Sequence, residues 1–272
     1  MAVSRTTTLN NGITMPMLGL GVYKMYGREA EQTVLSALEL GYRLIDTAAM
    51  YHNEKEIGDA VGKCGLPRND IFITSKVNNA DQGYDSTLRA FDESLRKLGS
   101  DYLDLYLVHW PLKNTRRDTW RALEKIYREG RARAIGVANY LLPFLEELAS
   151  YAGITPAVNQ VEFSPYLFLE DLLTHCRAKQ IQLQAYSPLS RGKMLQDPKL
   201  LALAAKYHKT PAQVILRWDL QMGVSAIPKS VSLDRLRENL DIFDFSLSTE
   251  DIETMKGFNK NLRVVDDPMV HL

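Results

Sequence analysis

The chain has 272 residues, 45% of them hydrophobic and 24% charged, an ordinary globular composition with enough apolar material to build a core without staples. Its 33 basic and 33 acidic side chains cancel, which argues against nucleic acid or an acidic membrane as a partner and leaves any anion binding to local charge. The two cysteines, Cys64 and Cys176, are too few for a disulfide framework and read as small buried hydrophobes. The opening Met-Ala-Val-Ser-Arg holds no apolar leader, and no run approaches the roughly 18 apolar residues of a membrane span, so a reducing cytoplasm is the expected location.

Residues 5–15 are two short strand-like runs around Asn10-Asn11-Gly12, a hairpin signal. Leu18–Val22 is a short apolar run, and from there helices and strands alternate. Helix 29–40 closes at Gly41, strand Tyr42–Thr47 follows, then helix 53–62, strand Ile71–Val77, helix 85–98 stopped by Gly99, and strand Tyr102–His109 ended by Pro111. The second half gives helix 118–129, strand Arg133–Ala138, helix 141–151, strand Ala157–Val161, helix 168–178 and strand Ile181–Tyr186. Helices 198–206 and 211–221 precede the last strand, Val224–Pro228, and helices 232–240 and 249–256 end the chain. Alternation of this kind predicts a parallel sheet covered by helices. Eight strands predict a closed (β/α)8 TIM barrel formed as a single domain over residues 1–272, with the N-terminal hairpin in front of it. An open dinucleotide-binding sheet would want a Gly-x-Gly-x-x-Gly turn after the first strand, and Gly19, Gly21 and Gly27 lack that spacing.

A parallel barrel carries its active site at the C-terminal ends of its strands. Those ends offer Asp46 with Tyr51 in the following loop, Lys76, and His109-Trp110. Singly, each has a bland reading as a helix cap, a core ring, a snorkelling lysine or a structural histidine. Together they make an acid–base set. A protonated tyrosine can give its proton to a carbonyl oxygen, and a nearby ammonium is expected to draw its pKa down from about 10 toward working pH. Asp46 can hold Lys76, and a neutral His109 can orient the carbonyl. No His-Glu-x-x-His or other metal-ligand spacing is present, so no metal is expected. A hydride donor is still needed, and side chains cannot supply one. Later strand ends provide Asn139 and Gln160, suited to a carboxamide, and Tyr186, a flat face for a flat ring. The polar loop Ser187–Gly192 suits a pyrophosphate. Lys229, Ser230 and Arg235 at the start of the last barrel helix suit a phosphate monoester, unless Arg235 is spent on an ion pair with Asp234 or Glu238. Tyr23, Tyr26, Tyr51 and Trp110 would form an aromatic pocket mouth.

The stretches Gly41–Tyr51, Ile73–Val77, Asp104–Pro111, Ala134–Asn139, Pro156–Glu162 and Ile227–Val231, running on to Glu238-Asn239, resemble the aldo-keto reductases, in particular the short prokaryotic and protozoal type that includes 2,5-diketo-gluconate reductases and prostaglandin F synthases. The resemblance implies Asp46, Tyr51, Lys76 and His109 as the catalytic set. It implies Asn139, Gln160 and Tyr186 at the nicotinamide, and Ser187 and Leu189 at the pyrophosphate. Lys229, Ser230 and Arg235 fall at the 2′-phosphate, and Glu238 and Asn239 at the adenine. The substrate side falls to Tyr23, Tyr51, His109 and Trp110. The hairpin would close the bottom of the barrel. The implied activity is NADPH-dependent reduction of aldehydes and ketones by hydride transfer, with Tyr51 as general acid, in a monomeric enzyme. The alternative is an NADP(H)-binding redox sensor or structural module with little catalysis. Three departures stand out: Ala138 in place of the usual Ser, Ser164 in place of a frequent His, and a tail, Arg263–Leu272, unlike the usual ending.

Overall fold

The computed structural model describes residues 4–271, so part of the N-terminal stretch read for a leader, and the last residue of the tail, lie outside the described residues. Strands β1 (Thr6–Thr8) and β2 (Thr14–Pro16) form an antiparallel hairpin, with Thr7 opposite Met15. The eight strands of the main sheet are β3 (Leu20–Gly21), β4 (Leu44–Asp46), β5 (Phe72–Val77), β6 (Leu103–Val108), β7 (Ala132–Ala138), β8 (Val158–Glu162), β9 (Gln182–Tyr186) and β10 (Ser225–Ala226). They are all parallel and lie side by side in chain order. The sheet closes between its two short outer strands: Ala226 N donates to Met17 O (2.8 Å), Gly19 N to Ala226 O (2.9 Å) and Gly21 N to Pro228 O (3.2 Å). The predicted eight-strand barrel is therefore the observed one.

The closing strand is shorter than the predicted Val224–Pro228 because Pro228 has no N–H to give to the ladder and only its carbonyl pairs. Gly19 and Gly21 are there for close approach, not for a phosphate turn. A Cβ on Gly19 would stand 2.2 Å from Leu44 Cδ2, and one on Gly21 would stand 2.8 Å from the Ile227 carbonyl oxygen.

Helices α1 (Gly27–Leu40), α2 (Glu54–Lys63), α3 (Tyr84–Leu98), α4 (Arg116–Arg128), α5 (Leu142–Ala149), α6 (Glu170–Ala178), α7 (Pro198–Tyr207), α8 (Pro211–Gln221) and α9 (Leu233–Leu240) follow the strands, and α10 (Thr249–Lys256) leads into the tail. The ends are set by local chemistry. α8 opens on a capping box between Thr210 and Gln213, and α10 opens on Ser248, whose hydroxyl accepts from Asp251 N. Among the described residues no helix is long and apolar enough to cross a membrane. Cys176 is buried, as expected, and Cys64 is only partly so.

Strand alternation divides the core in two. Ile45, Ile73, Tyr106, Val108, Val161 and Leu183 pack outward against the helices, whereas Leu44, Phe72, Leu105, Leu107, Ala134 and Val158 form a separate inner cluster with Leu9 and Met15 of the hairpin. The hairpin thus plugs the end where the strands begin. Asn10 Nδ2 reaches Pro156 O and Asn11 Nδ2 reaches Arg133 O, fastening it there. The same alternation carries Asp46, Lys76, His109, Ala138, Gln160, Gln184 and Tyr186 to the inside of the barrel.

Candidate active site

Four strand-end residues named from sequence do meet. Asp46 closes β4 and Lys76 stands near the end of β5. Lys76 Nζ donates to Asp46 Oδ1 at 2.6 Å, to Thr47 O at 2.9 Å and to Tyr51 Oη at 3.4 Å. Tyr51 sits in a short turn, Ala49–Tyr51, and its ring lies 5.7 Å edge-on from His109, which follows β6. Asp46, Lys76 and His109 are all buried. Asn53 fixes the loop. It accepts from Thr47 Oγ1 at 2.6 Å and donates to Val22 O and Met25 O, both at 2.9 Å, so the Tyr51 loop is tied to the loop carrying Tyr23.

Burial decides the protonation states. It raises the Asp46 carboxyl, with Lys76 and Gln160 pulling the other way, and lowers Lys76, opposed by Asp46 and Glu54. It holds His109 well below its ordinary range, helped by the Lys76 charge, so the imidazole is neutral; Nδ1 has no partner among the described residues. One expectation is corrected. The ammonium does not draw Tyr51 down: burial first, then Asp46, Tyr186 and Tyr23, push the phenol well above its ordinary value. The Lys76 charge is spent mainly on Asp46, which is closer than the phenol oxygen. The hydroxyl is therefore firmly protonated, which suits a proton donor.

Around this set lie the residues expected to hold the cofactor. Asn139 follows β7 with left-handed backbone (φ 65°); its Nδ2 donates to His109 O at 2.9 Å, and its Oδ1 accepts from Tyr186 Oη at 2.7 Å. Gln160 donates both amide hydrogens inward, to Asp46 Oδ2 (2.7 Å) and Gln184 Oε1 (2.8 Å), leaving its Oε1 as the open acceptor. After β9, Ser187, Ser190 and Arg191 all hold left-handed backbone (φ 47°, 47° and 54°), a concentration of strain in the loop expected at the pyrophosphate. Ser187 and Leu189 are half-buried in it. Buried Ser190 pairs with Ser164 at 3.3 Å, so the serine that departs from the resemblance has a place as an anchor for this loop. Ala138 packs in the inner apolar cluster.

Lys229 and Ser230 lie between β10 and α9, Arg235 in the first turn of α9, and Glu238 and Asn239 in its last. Lys229 Nζ donates to Lys24 O at 3.1 Å, Ser230 Oγ to Ser232 O, and Ser232 caps α9. Arg235 is not spent on its neighbours. Asp234 faces Arg237 at 3.7 Å, Glu238 accepts from Thr210 at 2.6 Å, and Arg235 has no side-chain partner among the described residues. Asn239 is buried. On the substrate side Tyr23 lies 5.0 Å from the Tyr51 ring, and Trp110 lies 5.6 Å from His271 of the tail. Tyr26, expected at the mouth, precedes α1 as its exposed cap residue.

Several participants were not legible as such. Glu162 Oε1 and Oε2 accept from Val264 N and Val265 N, and Arg116 donates to His271 O, so the tail is strapped over the rim. Gln184 and Asn53 were also missed. The alternating polar positions Gln182, Gln184 and Tyr186 on one strand were the available signal for Gln184.

The aldo/keto reductase family model matches residues 17–260. The chain belongs to the aldo/keto reductase family. It is therefore an oxidoreductase. It is 52% identical over 264 residues to the glyoxal reductase of Bacillus subtilis, covering 97% of this chain and 96% of that one. It is 44% identical to the 9,11-endoperoxide prostaglandin H2 reductase of Trypanosoma cruzi, covering 96% and 94% of the two chains. An aldo-keto reductase of Bombyx mori, solved in complex with NADP, superposes with a TM-score of 0.91 at 36% identity, covering 98% of this chain and 96% of that one.

Proposed function

We propose that the protein is an NADPH-dependent carbonyl reductase that converts small aldehydes and ketones to alcohols, with Tyr51 as the proton donor. The observation that carries the reading is the line Tyr51–Lys76–Asp46, buried at Lys76 and Asp46, with neutral His109 beside it. NADPH, when bound, supplies the hydride to the carbonyl carbon. Tyr51 gives its proton to the carbonyl oxygen, so carbon gains the hydride and oxygen the proton. Lys76, held charged by Asp46, faces the phenolate that this leaves. His109 orients the same oxygen through its N–H.

The residues present fit the cofactor. Tyr186 offers a ring face, Gln160 an open amide oxygen, and Asn139 a second amide hydrogen beyond the one given to His109. Ser187 and Leu189 of the loop after β9 take the pyrophosphate. Unpaired Arg235, Lys229, the Ser230 hydroxyl and the α9 N-terminus take the 2′-phosphate, with Glu238 and Asn239 at the adenine. Tyr23, Tyr51, His109 and Trp110 line the substrate side. The reading is of one barrel working as a monomer in the cytoplasm. The glyoxal reductase relative makes a short 1,2-dicarbonyl the first substrate to test. Its addition should consume NADPH, seen by absorbance, at least about tenfold faster than NADH at equal low concentration. No NADPH consumption across a panel of aldehydes and ketones would overturn the reading.

A further inference from the structure

A polar row crosses the middle of the barrel where an apolar layer would be the simpler packing. Asp46 from β4 accepts from Gln160 of β8, and Gln160 donates to Gln184 of β9, its register partner. All three are buried. The row has a fixed direction. A carboxylate only accepts, so Gln160 must turn its amide nitrogen to Asp46, and that nitrogen's second hydrogen then requires an acceptor. Gln184 Oε1 is that acceptor at 2.8 Å. Gln184 Nε2 is left with no partner among the described residues, and so is Ser225 Oγ, its register partner on β10. Leaving a buried amide nitrogen unpaired is costly. The orientation of Gln184 is thus set by what its oxygen accepts.

We propose that Gln184 is a positioning residue for the proton-donating set, acting by holding the Gln160 amide against Asp46. The inference rests on the reading of Tyr51 as proton donor. With Gln184 Oε1 removed, Gln160 is free to turn its nitrogen elsewhere, and Asp46 loses one of the two donors that favour its charged form. Asp46 then takes up a proton more readily, and Lys76 Nζ is released from its place beside Tyr51. The charged and titratable groups around this set are Lys76 from β5, Glu54 from α2, Tyr51 and Tyr23 from their loops, His109 after β6, and Tyr186 from β9. Of these, Lys76 donates to Asp46 and does so at Oδ1, whereas the donor at Oδ2 is the Gln160 amide.

The test is Gln184→Met, which keeps the volume and removes the acceptor, read as the pH profile of kcat at saturating NADPH and carbonyl. The acid limb should move up by about one pH unit. Gln160→Met should show the same shift, and adding Gln184→Met to it should shift the limb no further. A native acid limb in Gln184→Met, even with a lowered Tm, would mean that the residue is only structural and would overturn the proposal. So would shifts that add in the double variant. Should Gln184→Met fail to fold, Gln184→Leu, which also lacks an acceptor, is read in the same way. Tyr51→Phe, measured alongside, separates the two claims: a fully active Tyr51→Phe defeats the underlying reading, whereas an inactive one with a native Gln184→Met profile defeats this proposal alone.

Discussion

Tyr186 and Asn139 are 47 positions apart, yet the tyrosine hydroxyl donates to the Asn139 side-chain oxygen over 2.7 Å. The bond links the end of β9 to a residue with left-handed backbone after β7, φ 65°. Tyr186→Phe keeps the flat ring and removes only that link. One neutral hydrogen bond contributes about 0.5–1.5 kcal/mol, so NADPH should bind roughly two- to tenfold more weakly by fluorescence titration. Unchanged binding would mean that Asn139 keeps its position through His109 alone.

On the proposed reading, Arg235 decides between the two nicotinamide cofactors, which differ by one phosphate. Arg235→Ala should weaken NADPH by about tenfold or more, the effect of one charge-assisted bond, and leave NADH nearly unchanged. Equal loss for both would make Arg235 a structural residue.

The tail is expected to act on the carbonyl substrate and not on the cofactor. It is held by Glu162 and Arg116 and brings His271 against Trp110. Truncation after Arg263 should change the KM of the carbonyl substrate severalfold while the Kd for NADPH stays within about twofold. A selective loss of NADPH binding would place the tail elsewhere in function.

Asp219 makes a prediction about stability. It is fully buried in α8, neither carboxyl oxygen has a partner among the described residues, and burial raises its pKa well above the usual carboxylate range. The folded state therefore binds a proton that the unfolded state releases above about pH 4, so this group makes stability fall as pH rises from there. Asp219→Asn removes the ionisation. In urea melts the variant should gain on the native protein by more than about 1 kcal/mol between pH 5 and pH 7. A difference that stays constant over that range would show Asp219 to be paired.

The barrel and the polar corner where Asp46, Tyr51, Lys76 and His109 meet were legible because alternation and strand-end polarity are local signals. Asp46, Lys76 and His109 each terminate a run whose period is plain in the chain. What was not legible depends on closure. Gln160 looked like a residue for a ligand, and only the curvature of the sheet brings Asp46 within 2.7 Å of it. The shift of Tyr51 was read with the wrong sign because burial, which outweighs the neighbouring ammonium, is a property of the packed barrel. Arg235 could not be separated from a surface ion pair until α9 turned Asp234 and Glu238 to other partners.

The most direct measurement is the turnover of Tyr51→Phe, which keeps the ring against Tyr23 and His109 and removes the proton. If Tyr51 is the general acid, kcat for carbonyl reduction falls by at least about a hundredfold. The Kd for NADPH, taken by fluorescence on the same preparation, should stay within about twofold, because the hydroxyl bonds to Lys76 and not to a residue assigned to the cofactor. Turnover near the native rate with normal NADPH binding would contradict the account.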